Sequence, residues 1–181
     1  MIALETERLL IRDHVPGDLE NLFGLLSDPK VMRFIPDLRV ADQEGARTNL
    51  RVALEEAARP DRGKFFFALL EKASGAYVGE IGFTVLEEAP GARVVELGYF
   101  VLERFWGQGL VTEAAHRVVR FAFEACGVER ILIGCYQANV GSERIMVKLG
   151  ATKVREYEGD HHHPGESAKR VEYQLLRSVP E

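Results

Sequence analysis

Hydrophobic positions in this chain follow two periods, and the switches between them mark out its elements. Arg8–Val15 (RLLIRDHV) has the apolar character of a strand. The next segment opens with Pro16 and Asp18, both helix-start residues, and sets Leu19, Leu22, Phe23, Leu25 and Leu26 at helical spacing. A second helix is predicted over Asp42–Ala58, with Ala46, Leu50, Ala53, Leu54 and Ala57 along one side. Its other side carries Arg47, Arg51, Glu55 and Glu56 and reads as solvated. From Lys64 the period changes. KFFFALLEK, AYVGEIGFTVLEE and ARVVELGYFVLE read as strands separated by ASG and APG turns, which predicts an antiparallel meander. LVTEAAHRVVRFAFEAC returns to helical period: Val111, Ala114, Ala115, Val118, Val119, Ala122 and Phe123 share a face, and Gly127 supplies a stop. ERILIGCYQ is another strand, SERIMVKLG a short helix closed by Gly150, and ATKVREYEG with KRVEYQLLRS a final hairpin. The order β-α-α-β-β-β-α-β-α-β-β predicts a mixed α/β (α+β) fold, one domain over residues 1–181 with strands packed against helices.

Composition narrows the setting. The 181 residues are 46% hydrophobic and 28% charged, the balance of a globular domain large enough to bury a core. No run approaches the roughly 18 apolar residues of a membrane span. The opening MIALETERLLIRD is acidic where a signal peptide is basic and then apolar, so a cytoplasmic location is the expectation. The two cysteines, Cys126 and Cys135, lack the close spacing of zinc or redox pairs and read as buried thiols. A net charge of −5 and dispersed arginines disfavour nucleic acid as a partner and are compatible with a cationic substrate.

The stretch ERFWGQGLVTEAA, Glu103–Ala115, carries the candidate chemistry. Two glycines one residue apart enter a predicted helix, where unpaired N–H groups and the positive end of the helix dipole favour an anion. A dinucleotide fingerprint wants a third glycine, but Thr112 stands there, and the loop follows a meander rather than a first strand. A nucleoside-triphosphate loop wants a lysine that is absent. What these residues support is a phosphate or pyrophosphate over positions 107–112, with Arg104 placed to add a charge-assisted contact; an ordinary strand-to-helix turn is the alternative.

The surrounding residues are more specific. ELGYFVLERFWGQGLVTEA resembles the acetyl-coenzyme A loop of the GNAT superfamily of N-acetyltransferases, whose motif [QR]-x-x-G-x-[GA] is filled by Arg104, Gly107 and Gly109. The WGxGxxTEA form, Trp106–Ala114, is similar to the RimJ/RimL-type branch, named for acetylation of ribosomal-protein N-termini. LETERLLIR…LSDPKVMRFIP and NVGSERIMVKLGA resemble further segments of that branch, so the likeness spans nearly the whole chain. Two positions depart from it: Ala151 replaces a usual phenylalanine, and Gln108 a common basic residue, which shifts phosphate binding toward backbone N–H groups and Arg104.

The resemblance implies acetyl-CoA as co-substrate, no metal, and an amine acceptor that is a protein N-terminus or a small molecule. It implies that the strand ending in YFV splays from ILIGCYQ and that pantetheine enters the gap along backbone groups of Phe100, Val101 and Leu102. It places the cofactor also against Trp106, Gly107, Gln108, Gly109, Leu110, Val111 and Thr112, and against Asn139 and Ser142 on the other side. A homodimer is compatible with it, since dimers are common in the branch.

Acetyl transfer to an amine requires deprotonation of an ammonium, stabilisation of an oxyanion and protonation of a thiolate. Glu96 shares a strand face with Gly98 and Phe100 by alternation and is the candidate base, against the alternative of an ordinary surface Glu. Backbone N–H groups near Phe100 are the candidate oxyanion donors. Ser142 is the candidate proton donor, with Tyr136 and Tyr99 as competitors, while N-capping is the plain alternative for Asn139 and Ser142. EGDHHHPGES, Glu158–Ser167, offers His161–His163 with Asp160 and Glu166, but alternate histidines point opposite ways in extended chain, so it reads as a solvated loop rather than a metal centre. A non-catalytic acyl-CoA sensor is the alternative of another class.

Overall fold

The computed structural model describes residues 1–89, 92–159 and 169–177. Its strands are β1 (Ala3–Glu5), β2 (Leu9–Asp13), β3 (Lys64–Glu71), β4 (Tyr77–Ala89), β5 (Ala92–Val101), β6 (Val128–Tyr136), β7 (Thr152–Glu158) and β8 (Lys169–Leu176). Its helices are α1 (Leu19–Ser27), α2 (Gln43–Ala58), α3 (Leu110–Ala125) and α4 (Val140–Lys148), with short 3-10 turns that include Val31–Phe34 and Glu103–Phe105. The strands form one sheet in the order β1-β2-β3-β4-β5-β6-β8-β7. Every pairing is antiparallel except β5 with β6.

The predicted order of elements holds, with one short addition. Strand β1 escapes the sequence because three residues carry no readable alternation; it exists because Ala3–Glu5 pairs with Leu10–Arg12. The predicted helices start and stop where local chemistry says they should. Asp42 caps α2 by accepting a hydrogen bond from the Gly45 N–H, and Gly127 follows α3 with a positive φ that other residues adopt only at a cost. Of the two cysteines, Cys135 is buried and Cys126 half-buried, and neither is in a disulfide.

Both faces of the sheet are covered, and strand alternation decides which residue goes where. On β3, Phe65, Phe67 and Leu69 enter one cluster with Ile81, Val95 and Leu97 of its neighbours. That cluster is sealed by α3, through Leu110, Ala114, Ala115, Val118 and Ala122, and by Met146 of α4. Ala68 enters the opposite cluster, with Leu22, Leu25 and Leu26 of α1, Leu50 of α2 and Tyr77 of β4. The alanines of α3 let the helix lie close to the sheet, so its first turn is held firmly at one end of β5. No described helix is long and apolar enough to cross a membrane.

Candidate active site

The site begins where the sheet parts. β5 and β6 pair only from Arg93–Val128 to Glu96–Leu132. β5 then continues to Val101, while β6 continues to Tyr136 still paired with β8. The last residues of β5 therefore face a gap, with backbone groups turned toward it that a sheet would normally satisfy. The Leu102 N–H donates to the Val78 carbonyl at 3.0 Å. In the antiparallel register, that bond puts Phe100 and Gly98 in the same hydrogen-bonded phase toward β4, leaving Tyr99 and Val101 turned to the gap. Leu102 and Phe100 are thus committed to the sheet, a correction to the expected trio of backbone partners. Of the three, only Val101 faces the gap, and its carbonyl already accepts the Trp106 indole N–H at 2.8 Å. Tyr99 and the Val101 N–H are the groups presented there.

Side chains along β5 sort as alternation predicts. Phe100 packs with the α1–α2 cluster and Tyr99 with the α3–α4 cluster. Glu96 and Gly98 share the Phe100 face. A Cβ added to Gly98 would meet nothing within 4 Å, so this face is open between Glu96 and Phe100. Glu96 is exposed and has no hydrogen bond or ion pair among the described residues. Further along the same face, Glu80 is the register partner of Phe100 and accepts a hydrogen bond from His14 Nε2 at 2.9 Å. The other ring nitrogen, Nδ1, lies 3.4 Å from the Asp18 carboxylate, an ion-pair contact without hydrogen-bond alignment. Asp18 in turn receives two Arg12 N–H groups at 2.7 and 2.8 Å. Burial disfavours a charged His14, but the two carboxylates outweigh it and raise its pKa to about 9.

At the end of β5 the chain makes the Glu103–Phe105 turn and enters α3 through Gly107 and Gly109, at φ 71° and 77°. Both lie in the left-handed region, which is why glycine is required there. The Gly107 to Thr112 N–H groups, six in succession, find no acceptor among the described residues. A run of unpaired N–H groups at a helix N-terminus is a cradle for an anion, so a pyrophosphate fits here. Leu110 and Val111 bury their side chains in the core and offer backbone alone, while Gln108 turns its amide back to the Arg104 carbonyl at 2.8 Å.

Arg104 does not stand over this cradle. Its guanidinium reaches the Tyr77 carbonyl at 3.3 Å and lies over the Phe105 ring. The arginine at the loop is Arg8, which donates to the Gln108 carbonyl at 3.0 Å and from Nε to Glu113 of α3 at 2.7 Å, with Nη2 in ion-pair contact with the same oxygen at 2.7 Å. Burial raises the Glu113 carboxyl, but hydrogen bonds from Thr6 and Arg8 win and hold it below its ordinary value. In the sequence Arg8 stands at the start of a predicted strand and within a segment of the resemblance, with no role at the loop. Its reach to a loop a hundred residues away carries no local signal.

The opposite lip of the gap is the start of α4. Asn139 is its N-cap, its side chain accepting from the Ser142 N–H at 3.2 Å. Tyr99 spans the gap from β5: its hydroxyl lies 3.0 Å from Ser142 Oγ and 3.2 Å from the Ser142 carbonyl. Burial raises the Tyr99 pKa well above the ordinary phenol value, so the hydroxyl keeps its proton. Tyr136 belongs elsewhere, its ring stacked with Phe34 and covered by Arg170. The Cys135 thiol, near Asn139, is pushed up to about 11 by burial and is not a thiolate. Among the described residues no group of His, Cys, Asp and Glu is arranged to hold a metal; Asp160, His161–His163 and Glu166 lie outside them.

A splayed parallel pair, an anion cradle at the end of one strand and a hydroxyl pair bridging to a helix form one channel. A family model described as "Acetyltransferase (GNAT) domain" matches residues 8–152, which contain every part of it. The chain belongs to the GNAT acetyltransferase family. It is 27% identical over 147 residues to the uncharacterized N-acetyltransferase YnaD of Bacillus subtilis, covering 81% of each chain. It is 33% identical over 76 residues to the FsC-acetyl coenzyme A-N(2)-transacetylase of Aspergillus fumigatus, but this match spans 41% of the chain and only about a third (32%) of that relative. Among solved structures it superposes on ribosomal-protein-S5-alanine acetyltransferase of Vibrio fischeri with a TM-score of 0.84 at 17% identity, covering 98% and 97% of the two chains. It superposes on RimL, a ribosomal L7/L12 α-N-protein acetyltransferase bound to coenzyme A, with a TM-score of 0.80 at 15% identity, covering 97% and 98%. The GNAT fold expected from the sequence is therefore the observed one, and the chain carries an acetyl-CoA-dependent N-acetyltransferase domain.

Proposed function

We propose that the domain transfers acetyl from acetyl-CoA directly to the α-amine of a protein N-terminus in a ternary complex. The observation that carries the reading is the gap between β5 and β6, which leads from the Gly107–Thr112 cradle to an open sheet face holding an unpartnered carboxylate. An added pantetheine strand would satisfy the backbone groups of Tyr99 and Val101 that the sheet leaves unpaired. With the pyrophosphate over Gly107–Thr112, the thioester comes to the region of Tyr99 and Ser142.

The chain's own residues then divide the chemistry. The backbone N–H of Tyr99 holds the developing oxyanion, and that of Val101, about 7 Å further along the strand, is left to the pantetheine arm. Glu96 is three residues from Tyr99, about 10 Å along an extended strand, so it takes the ammonium proton through a water rather than by contact. Its negative charge on an open face also attracts a cationic amine. Ser142 Oγ gives its proton to the departing thiolate, and the Tyr99 hydroxyl donates to Ser142 as it does so. Asn139 holds Ser142 at the start of α4 through its cap.

The peptide acceptor is favoured by likeness to two ribosomal-protein acetyltransferases over nearly their full lengths. A small-molecule amine is the second reading, since the open face at Gly98 does not itself select a chain. The test is a thiol-release screen with acetyl-CoA over peptides of varied N-termini and a panel of small amines. Turnover confined to peptides supports the proposal, turnover confined to small amines replaces it with the second reading, and acetyl-CoA binding without turnover on any amine points to a sensor.

A further inference from the structure

The cradle at Gly107–Thr112 has a mechanical weakness. The peptide joining Gln108 to Gly109 ends on a glycine at φ 77°, a residue that resists a change of φ least. If that peptide turned over, the Gln108 carbonyl would replace the Gly109 N–H and present a negative dipole to a phosphate. Because a peptide is planar and trans, its C=O and N–H point in opposite directions, so fixing one fixes the other. Arg8 Nη1 donates to the Gln108 carbonyl at 3.0 Å.

We propose that Arg8, locked by Glu113, is a positioning residue that holds the Gln108–Gly109 peptide with its N–H turned to the pyrophosphate of acetyl-CoA.

The lock is specific. Glu113 Oε2 accepts from Arg8 Nε at 2.7 Å and makes an ion-pair contact with Nη2 at the same distance, and its second oxygen accepts from the Arg8 backbone N–H at 2.9 Å. The Arg8 carbonyl accepts from the Lys72 N–H at 2.9 Å, which ties the same residue to the end of β3. The guanidinium fork therefore arrives already oriented, and a lysine has no second arm with which to hold Glu113 and Gln108 together. The pairing also answers a charge problem: Glu113 sits in the first turn of α3, close to where an anion docks, and Arg8 neutralises it. A Cβ on Gly109 would lie 3.7 Å from Arg8 Nη2, which shows how closely the guanidinium follows the loop.

The inference rests on the acetyl-CoA reading of the loop, and its test separates the two. Acetyl-CoA and acetyl-pantetheine carry the same thioester, but only the first has a pyrophosphate. Kd is measured by titration for both ligands on the wild type, Arg8→Ala and Glu113→Gln, with thermal unfolding as a check of the fold. Arg8→Ala is expected to weaken acetyl-CoA about tenfold, the scale of one charge-assisted hydrogen bond, and to leave acetyl-pantetheine within about twofold. Glu113→Gln, which keeps the side chain's shape, should give a smaller loss with the same selectivity. The double variant should bind no worse than Arg8→Ala alone. Equal losses for the two ligands in both variants, or unchanged acetyl-CoA affinity, overturn the role of Arg8. A wild type that does not prefer acetyl-CoA to acetyl-pantetheine overturns the reading of the loop and the inference with it.

Discussion

His14 sits fully buried between two carboxylates on the Phe100 side of the sheet, and its charge is part of what holds the start of α1 to the sheet. Its pKa is raised from 6.5 to about 9, because Asp18 and Glu80 more than offset the cost of burying the imidazolium. A rise of that size corresponds to roughly 3 kcal/mol of folding free energy at about 1.4 kcal/mol per unit. The sign follows from the raised value: the folded state binds the proton more tightly. The stabilisation is therefore complete below the unfolded pKa and disappears as pH rises through about 9. Urea unfolding from about pH 6 to pH 9 should show the wild type losing roughly 3 kcal/mol. His14→Gln should start lower at the acid end, because Glu80 loses its cation and Asp18 keeps only Arg12, and should lack this decline. Parallel pH profiles for the two proteins would show that the proton is not on His14 and that the cluster is held by Arg12 and Asp18 alone.

Other outcomes test the site itself. Gly107→Glu or Gly109→Glu places a carboxylate in the N–H cradle and should weaken acetyl-CoA at least 100-fold. The positive φ adds about 1–2 kcal/mol of strain without unfolding the protein, and unchanged affinity would refute the cradle. Ser142→Ala should lower kcat about 100-fold, the scale of a lost general acid, with acetyl-CoA affinity near that of the wild type. Tyr99→Phe should lower kcat less, and a wild-type rate in either variant removes that hydroxyl from the proton path. Glu96→Gln should lower kcat/KM for the amine while sparing acetyl-CoA binding, and full activity would leave deprotonation to water alone.

The parts of this protein legible in its sequence are those whose physics is local. Helices α1 to α3 follow from apolar residues three and four apart with Asp18, Asp42 or a glycine at an end, and the β3–β4–β5 meander follows from alternation broken by turn residues. The cradle is local too: two glycines free to take positive φ, at a helix start whose first N–H groups have no partner within the helix. Motif and physics therefore single out the same residues for the proposed phosphate seat. The shared face of Glu96, Gly98 and Phe100 was readable for the same reason, since alternation depends on nothing beyond the strand.

What the tertiary structure decided was every question of partner. Strand β8 lies between β6 and β7, an order that no hairpin signal contains. Whether a β5 backbone group faces β4 or the gap depends on the register with β4, so Tyr99 and Val101 rather than Phe100 and Leu102 face the channel. Tyr99 reaches Ser142 while Tyr136 turns to Phe34, although the sequence offers both as donors. The two arginines make the case most directly. Arg104 is near the glycines along the chain and turns to Tyr77, whereas Arg8, distant in sequence, holds the loop because β2 and the first turn of α3 meet in space. Proximity along the chain predicts backbone conformation; which charges meet is set only when the sheet and helices pack.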